Sequence, residues 1–445
     1  MRIIIIGGGE VGYALSRALS REHGIFVVDH NPDVRERFAA LDVEFVPGSA
    51  TSADVLRRAA GKGADLLIAC TGLDEVNLVA CAIAKRLGIQ RTICFVSKDD
   101  FLRTDDSMRE HFGIERVLWP EAQLAEAIER IIAAPGAIDA EAFAGGRIQL
   151  LEYRLQAGSP LTAGPIKSLR LPHGALVAAV KRRDTIDIPN GDTRLQAGDK
   201  IIVMGTREAM GLVQPFVARG ASAARTQLVT IIGGGDVGFR LAQLLDANPK
   251  VDLRVIERDK RRGELLAATL RRALVLNGDG TDLELLESED IGRSDVLVSV
   301  IDNDERNLFA SLLGRQLGVR KIITRVSRMA NLRLFERVGI DVALSARGAA
   351  VASLVHQIQG GRANLLAVLE EGQATIVELV VPPGYRARSL LEMEAPPQSI
   401  IGAILRGDEV IVPRGSDQIR PNDRLLVFAT EQSVPLVRDY FAAVA

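Results

Sequence analysis

The chain has 445 residues, 47% of them apolar and only 4% aromatic, which suits two to four domains with the aliphatic cores of buried parallel sheets. It carries 55 basic and 57 acidic residues, a net charge of −2, so no basic field marks a nucleic-acid partner. No apolar run reaches the roughly 18–20 residues of a membrane span, the start reads as a strand rather than a signal peptide, and Cys70, Cys81 and Cys94 fit no zinc spacing and read as reduced structural thiols of a cytoplasmic protein.

The first strand is expected over 2–6. It runs into Gly7-Gly8-Gly9-Glu10-Val11-Gly12 and then an apolar-periodic helix, the strand–turn–helix context that a dinucleotide fingerprint requires. Gly7 lets the chain turn sharply, Gly9 removes a Cβ that would block a pyrophosphate, and Gly12 lets the helix close on the sheet. Backbone N–H groups and the helix dipole then face the phosphates. Further strands are expected near 25–29, 43–46, 65–70, 92–96 and 116–119, alternating with helices, as in a doubly wound parallel sheet. Asp29 ends the second strand. A carboxylate there accepts hydrogen bonds from ribose hydroxyls and repels a 2′-phosphate, favouring NAD, NADH or an adenine mononucleotide over NADP. The turn Gly48-Ser49-Ala50-Thr51 either borders an adenine ring or is a plain turn. Asn77 starts a helix beside the same crevice, as a ligand contact or as an N-cap. A helix over 121–133 places Leu124, Ala125, Ile128, Ile131 and Ile132 on one face. It packs within its domain, links lobes or meets a neighbour, and Pro135-Gly136 ends it.

Residues 148–206 carry the β-like runs Gln149–Arg154, Leu176–Lys181 and Lys200–Met204. After a linker at 218–226 the whole plan recurs. Gly7, Gly9 and Gly12 are answered 226 residues on by Gly233, Gly235 and Gly238, within Gly233-Gly234-Gly235-Asp236-Val237-Gly238. Asp29 is answered by Glu257, Gly48-Ser49-Ala50-Thr51 by Gly278-Asp279-Gly280-Thr281, and Asn77 by Asn307. The β-rich run Gly198-Asp199-Lys200-Ile201-Ile202-Val203 is answered by Asn422-Asp423-Arg424-Leu425-Leu426-Val427. This is a repeat of a whole domain pair rather than a solenoid period. The fold class is α/β: two doubly wound parallel-sheet domains, each followed by a small β-rich α+β domain. Expected boundaries are 1–134, 135–217, the linker 218–226, 227–360 and 361–445.

No catalytic or metal constellation emerges. His23, His30, His111, His173 and His356 have no counterparts between halves, and the three cysteines answer Val300, Ser311 and Thr324. No Walker loop, C-x-x-C or H-x-x-x-H occurs. An NAD-dependent oxidoreductase with a duplicated cofactor domain is the alternative reading. It needs a general acid or base beside the nicotinamide, which the β-rich modules do not supply.

The order of modules resembles the TrkA-type regulatory subunits of bacterial Trk potassium uptake, which carry two RCK (KTN) domains in tandem. The resemblance rests on the opening Met1–Gly12, on Thr71-Gly72-Leu73-Asp74-Glu75-Val76-Asn77-Leu78-Val79-Ala80-Cys81, and on Gly198–Val203. It implies Rossmann-like RCK-N parts, β-rich RCK-C parts and a non-enzymatic gating subunit on the inner face of the membrane. That subunit would sit under a TrkH-type potassium channel, form a homo-oligomer (a dimer or a tetramer ring) and bind NAD(H), ATP or ADP. The family's site carries over to the two glycine turns, Asp29 and Glu257, with Thr71 and Asn77 beside the first. Where family members carry arginines after the fifth strand, the first copy has Phe95 and Ser97 and the second has Arg325. Where many carry aspartate after the third strand, the first has Ser49 and the second Asp279. The second half is therefore expected to grip phosphate more strongly.

Overall fold

The computed structural model describes all residues except 98–105, 135, 170, 184, 218–225, 360–364, 370–372, 394, 408 and 443–445. Most of the 218–226 linker and the helix break at Pro135 therefore lie outside the described residues.

Six strands form the first sheet: β1 (Arg2–Ile6), β2 (Gly24–Asp29), β3 (Val43–Pro47), β4 (Leu66–Ala69), β5 (Arg91–Phe95) and β6 (Arg116–Leu118). Five helices alternate with them: α1 (Glu10–Leu19), α2 (Ala53–Ala60), α3 (Asp74–Arg86), α4 (Asp106–Phe112) and α5 (Pro120–Ala133). The spatial order is β3-β2-β1-β4-β5-β6, all parallel. The strand order reverses between β1 and β4, and ligands of such sheets bind at that switch, outside the carboxyl ends. Burial on both faces explains why β1 is an unbroken aliphatic run: Ile3, Ile4, Ile5 and Ile6 are wholly enclosed, each stabilising the fold by about 1.5–3 kcal/mol.

The next module contains β7 (Asp139–Phe143), β8 (Ile148–Arg154), β9 (Ala175–Arg182), β10 (Thr185–Asp187), β11 (Lys200–Thr206) and α6 (Arg207–Val217). Its sheet order is β10-β9-β11-β8-β7, antiparallel throughout. The edge strand β7 goes unseen in the sequence because Asp139-Ala140-Glu141-Ala142-Phe143 is poor in strand-forming residues.

The second half repeats both modules. Its parallel sheet has β12 (Gln227–Ile232), β13 (Val251–Glu257), β14 (Leu274–Asn277), β15 (Val296–Ser299), β16 (Lys321–Arg325) and β17 (Val342–Leu344), ordered β14-β13-β12-β15-β16-β17. Its helices are α7 (Asp236–Asp246), α8 (Lys260–Thr269), α9 (Leu283–Ser288), α10 (Asp304–Gln316), α11 (Leu332–Arg337) and α12 (Ala346–Gln359). The last module holds β18 (Leu365–Leu369), β19 (Ala374–Val380), β20 (Arg388–Ser389), β21 (Ser399–Arg406), β22 (Glu409–Ile411), β23 (Gln418–Ile419), β24 (Arg424–Thr430) and α13 (Val434–Ala442). Its main sheet runs β18-β19-β24-β21-β22, with β20 and β23 paired apart.

Like modules gather with like. One compact unit is Met1–Glu126 with Leu228–Val355, the two parallel-sheet lobes; the other is Ala127–Gln227 with His356–Ala445, the two β-rich modules. The boundaries fall inside α5 and α12. Within the second unit the two antiparallel sheets share one core, in which Ile148, Ile202 and Met204 of one meet Ile376, Leu405 and Phe428 of the other.

The β-rich motif found in the sequence is a clamp. Arg182 donates to both oxygens of buried Asp199, at 2.8 Å from Nε and 2.7 Å from Nη2, and the Gln196 N–H adds a bond of 2.8 Å. Arg406 holds Asp423 in the same way at 2.8 and 2.7 Å. Burial raises the Asp199 carboxyl, but the Arg182 and Gln196 bonds outweigh it and hold that group below its usual range.

Candidate functional site

Two crevices lie at the carboxyl ends of the parallel sheets. Gly7 and Gly233 each have φ of +102°, a conformation open to glycine at little cost. A Cβ on Gly12 would stand 1.8 Å from the Gly7 carbonyl oxygen, and one on Gly238 1.9 Å from that of Gly233. These two are the packing glycines that let α1 and α7 abut their strands. Gly9 and Gly235 differ: a Cβ there would meet nothing within 4 Å, so their missing side chains leave open approach to the turn rather than satisfying internal packing. Both cap their helices without a side-chain bond to the first-turn amides. The first N–H groups of α1 and α7 are therefore free of a side-chain cap, as a phosphate cradle needs.

The acidic residues sit where the spacing puts them. The Gly8 N–H donates to Asp29 Oδ2 at 2.6 Å, and the Gly234 N–H to Glu257 Oε2 at 2.6 Å. Their other oxygens accept from Asn31 N–H at 2.9 Å and Asp259 N–H at 2.7 Å. Each carboxylate is fixed against its turn. The turns after β3 and β14 lie alongside, tied by Gly48 N–H to the Asp29 carbonyl at 2.9 Å and Gly278 N–H to that of Glu257 at 3.0 Å. Ser49 Oγ and Thr51 Oγ1 bond each other at 2.8 Å. Ala50, Val11 and Val237 point into the core, leaving only their backbone for a ligand. A Cβ on Gly280 would collide with Ile232, so Gly280 is a packing glycine.

Asn77 and Asn307 are not caps, which corrects that expectation. Each is the fourth residue of its helix, and the caps are Leu73 and Asn303. Asn77 is wholly buried. Its Oδ1 accepts from Thr71 N–H at 2.9 Å and from Thr71 Oγ1 at 2.7 Å, while its Nδ2 donates to the carbonyls of Thr71 at 3.2 Å and Phe95 at 2.9 Å. Asn307 bonds Ile301 N–H and Ser299 Oγ, both at 2.8 Å, and the carbonyls of Ile301 at 2.7 Å and Arg325 at 3.0 Å. Such an asparagine has spent its bonding capacity within the protein. It fixes the ends of the fourth and fifth strands, and with them Thr71 at the switch point. Asp74 and Asp304 help by accepting from Ser97 N–H at 3.0 Å and Ser327 N–H at 2.7 Å, a role that sequence reading did not assign.

The crevices differ in charge. In the second, Arg306 grips both oxygens of Asp279 at 2.6 and 2.7 Å, Arg262 reaches across the glycine turn to Asp236 at 2.5 Å and the Gly234 carbonyl at 2.9 Å, and Arg325 pairs with Asp302 at 3.0 Å. The first has Val76, Val34 and Phe95 at the positions of Arg306, Arg262 and Arg325. Asp279 is held below the usual carboxylate range: burial raises it, and Thr281 and Arg306 more than compensate. Arg325 is thus engaged by a carboxylate rather than held free for phosphate.

Each lobe also receives a helix from the other half. Arg240 of α7 lies 3.7 Å from Glu126 of α5. Arg347, the second residue of α12, donates to Glu10 Oε2 in the first glycine turn at 2.9 Å. Glu121, the second residue of α5, sits within the field of Arg325, Asp236 and Asp302 of the second crevice. Desolvation, foremost, raises its carboxyl above the usual range.

The cysteines offer no chemistry: all three are buried, and burial pushes the Cys70 thiol up to about 12, far from the thiolate that reacts. Among the described residues no group of three or more metal-ligating side chains converges, and no helix is long and apolar enough to cross a membrane.

The TrkA-N domain model matches residues 3–120 and 229–346, and the TrkA-C domain model matches 150–218 and 376–442. The chain is 37% identical to the Trk system potassium uptake protein TrkA homolog 1 of Methanosarcina mazei, covering 99% of this chain and 100% of that one. It is 31% identical to the Trk system potassium uptake protein TrkA of Haemophilus influenzae, covering 99% and 98%. Among solved structures, the GsuK RCK domain superposes with a TM-score of 0.60 at 24% identity, over 99% of this chain and 95% of that one. The GsuK channel bound to NAD does so with a TM-score of 0.59 at 22% identity, over 99% and 79%. At that identity the two solved structures establish the shared fold.

Proposed function

Because this chain belongs to the TrkA family of Trk system potassium uptake proteins, we propose that it is the cytosolic regulatory subunit of a potassium uptake system. In this reading it gates a TrkH-type membrane channel by moving when nucleotide binds. The observation that carries it is the pair of glycine turns, each with an open second glycine, a helix N-terminus without a side-chain cap and a carboxylate fixed against the turn. Adenosine-containing anions fit this arrangement: Asp29 or Glu257 meets the ribose, and the amides at Gly9–Val11 or Gly235–Val237 meet the phosphates. Ser49, Thr51 and Asp279 border the adenine end. NAD is bound by a GsuK channel of this fold, which supports NAD or NADH as one ligand, with ATP or ADP as the other. The domain limits are proposed at 1–134, 135–217, 227–360 and 361–445.

The work is regulatory and not enzymatic. A ligand moves a two-state equilibrium only by its difference in affinity for the two states, and couplings of about 1–3 kcal/mol are typical. NADH and ATP share an adenosine diphosphate core and differ beyond it, which is where α5 and α12 of the opposite halves approach. The protein acts as a homo-oligomer on the inner face of the membrane. Calorimetric titration of the purified chain with NAD, NADH, ATP and ADP, beside a pull-down with the channel subunit, tests the reading. Binding without turnover supports it. Hydride transfer to a common substrate by the chain alone, or indifference to all four compounds, overturns it.

A further inference from the structure

The two parallel-sheet lobes share a fold but not a charge at one edge. In the second lobe, α8 and its flanks over 258–274 carry six basic and two acidic residues, a net of +4. The matching stretch of the first lobe, 30–44, carries two basic and four acidic residues, a net of −2 with His30 neutral. The backbone differs as well. The first lobe forms only a tight 3-10 run of seven residues, Pro32–Phe38, where the second builds the ten-residue α8. Gly263 and Leu266 are the buried residues of α8, so at about 100° per residue Arg261, Leu265 and Ala268 lie on the side turned away from the sheet. All three are exposed, Leu265 to 56%. We propose that this outer face of α8, with Arg271 at its end, is a docking surface for the anionic headgroups of a phospholipid membrane. It adds to the membrane-facing place proposed above a direct contact that needs neither nucleotide nor channel.

The cations of this edge divide into two groups. Arg262 and Arg272 serve the fold: Arg262 is held by Asp236, and Arg272 donates to the Asn248 carbonyl at 2.9 Å. Arg258 lies 3.9 Å from Asp279. The side chains of Lys260, Arg261 and Arg271, by contrast, have no hydrogen bond or ion pair among the described residues. Two nearby acids do not cancel them, because their oxygens face amides. Asp246 accepts from the N–H groups of Arg271, Arg272 and Ala273 at 2.8, 2.8 and 2.9 Å, and Asp259 caps α8 through the Arg262 N–H at 2.9 Å. The surface is continuous from Arg261 to Arg271. Thr269 lies one turn beyond Leu265, its Oγ1 donating to the Leu265 carbonyl at 2.8 Å, and it also lines a cleft shared with Leu270, Arg271 and Arg272. A helix that combines clustered lysine and arginine with an exposed apolar side chain is drawn to an anionic lipid interface. A protein partner would call for several apolar anchors, and the outer face of α8 offers one leucine among alanines. Such a face suits charge spread over a plane. The first lobe, net negative at the same edge, is repelled, so the contact fixes which half faces the lipid.

The test co-sediments the full chain, without nucleotide, with vesicles of phosphatidylcholine alone and of phosphatidylcholine mixed equally with phosphatidylglycerol. Binding is expected to the anionic vesicles, not to the neutral ones, and to fade as salt is raised. A cation beside an anionic leaflet strengthens binding about fivefold, so Arg261→Gln with Arg271→Gln should lower it about 10- to 30-fold. Arg261→Lys with Arg271→Lys keeps both charges and should bind as the parent does. Arg35→Gln with Arg37→Gln removes the same charge from the first lobe's edge and should change binding by less than about twofold. All are checked by thermal melting. Equal binding to neutral vesicles, no effect of the Arg261 and Arg271 pair, or the same loss from the first-lobe pair overturns the proposal. So does binding of a polyglutamate peptide at this edge by a chain that ignores anionic vesicles, which would assign the surface to an acidic protein. These results leave the nucleotide and gating reading standing, since the vesicles hold no channel. A parent chain that binds anionic vesicles and no nucleotide keeps this proposal and overturns that reading.

Discussion

Two glycines three residues apart should fail in opposite ways when each gains one methyl group. In Gly12→Ala the new Cβ would stand 1.8 Å from a backbone oxygen. Ordinary van der Waals contact is about 3.5–4.0 Å, so α1 must retreat from β1 by more than an ångström. Overpacking of this kind costs typically about 1–3 kcal/mol, and two backbones in collision belong at the upper end. At about 2–4 °C per kcal/mol for a unit of this size, melting should fall by roughly 5–12 °C. In Gly9→Ala the Cβ meets nothing and the backbone is extended, with φ of −68° and ψ of −164°, which alanine accepts. Only the poorer N-cap preference of alanine counts against it, at under about 1 kcal/mol, so melting should move by no more than about 3 °C. Nucleotide binding in the first crevice should nonetheless fall at least tenfold, about 1.4 kcal/mol, because the methyl group occupies the approach to the amides. Differential scanning fluorimetry with and without ATP or NAD, followed by calorimetry, separates the two effects. A Gly9→Ala protein that binds as the parent does, with the second crevice silenced by Gly235→Asp in both, would refute the claim that phosphates reach the fold through this turn.

Asn77→Ala should leave Thr71 N–H and the Phe95 carbonyl without partners, and at about 1–3 kcal/mol per orphaned group the first lobe should lose roughly 2–4 kcal/mol in chemical denaturation. Asp29→Asn keeps an acceptor for the Gly8 N–H while removing the charge, so NADP should gain on NAD by about fivefold, close to 1 kcal/mol, in competitive titration. Asp199→Ala strips Arg182 of its bidentate partner and exposes the Gln196 N–H to a dry site. Arg182 is 43% exposed, so the loss should fall below the roughly 3–5 kcal/mol of fully buried pairs, at about 2–3 kcal/mol. Because the folded Asp199 carboxyl lies below its usual range, its stabilisation is fully present above about pH 4 and disappears as pH falls through the lowered folded value. Acid melts of parent and variant should therefore converge at low pH; a constant gap would contradict the ion-pair account.

Much of the architecture could be read in advance because its determinants are local. Four consecutive isoleucines, a glycine turn and a periodic helix leave one reasonable construction, and the β1–β4 switch follows from it. Asp29 and Glu257 were legible by spacing alone. The sequence did not reveal the sorting of modules, because nothing in a linear repeat says that lobe meets lobe and β-module meets β-module; that depends on which apolar faces match, as with Met204 and Phe428 in one core. Asn77 was found as a position, with ligand contact and capping as its two readings; the structure removes the second, since a buried amide with two donors and two lone pairs can equally tie two strand ends together. Arg262 and Arg306 were missed because arginine on a helix is ordinarily a solvated face, and only the fold brings their guanidinium groups to Asp236 and Asp279.

Glu121 and Arg347 hold the same position in the two halves, each the second residue of its helix and 226 residues apart, with opposite charge, which bears on why two copies are kept in one chain. A homodimer of a single copy would present the same residue at both crossing helices, so both crevices would meet either two glutamates or two arginines, and their ligand preferences would be locked together. Fusion frees each crossing position to be chosen separately. Here one crevice faces a guanidinium that is half exposed and exchangeable, while the other faces a carboxylate with an oxygen lacking a partner. Each of α5 and α12 follows one lobe, meets the opposite lobe near its start and ends in residues of the other unit, so a movement at that contact is made on a helix rather than on a loop. Lengthening the connection between α5 and β7 with a flexible insert should therefore leave both affinities unchanged and abolish nucleotide control of channel current in reconstituted vesicles; control that survives the insert would require another route between lobe and channel.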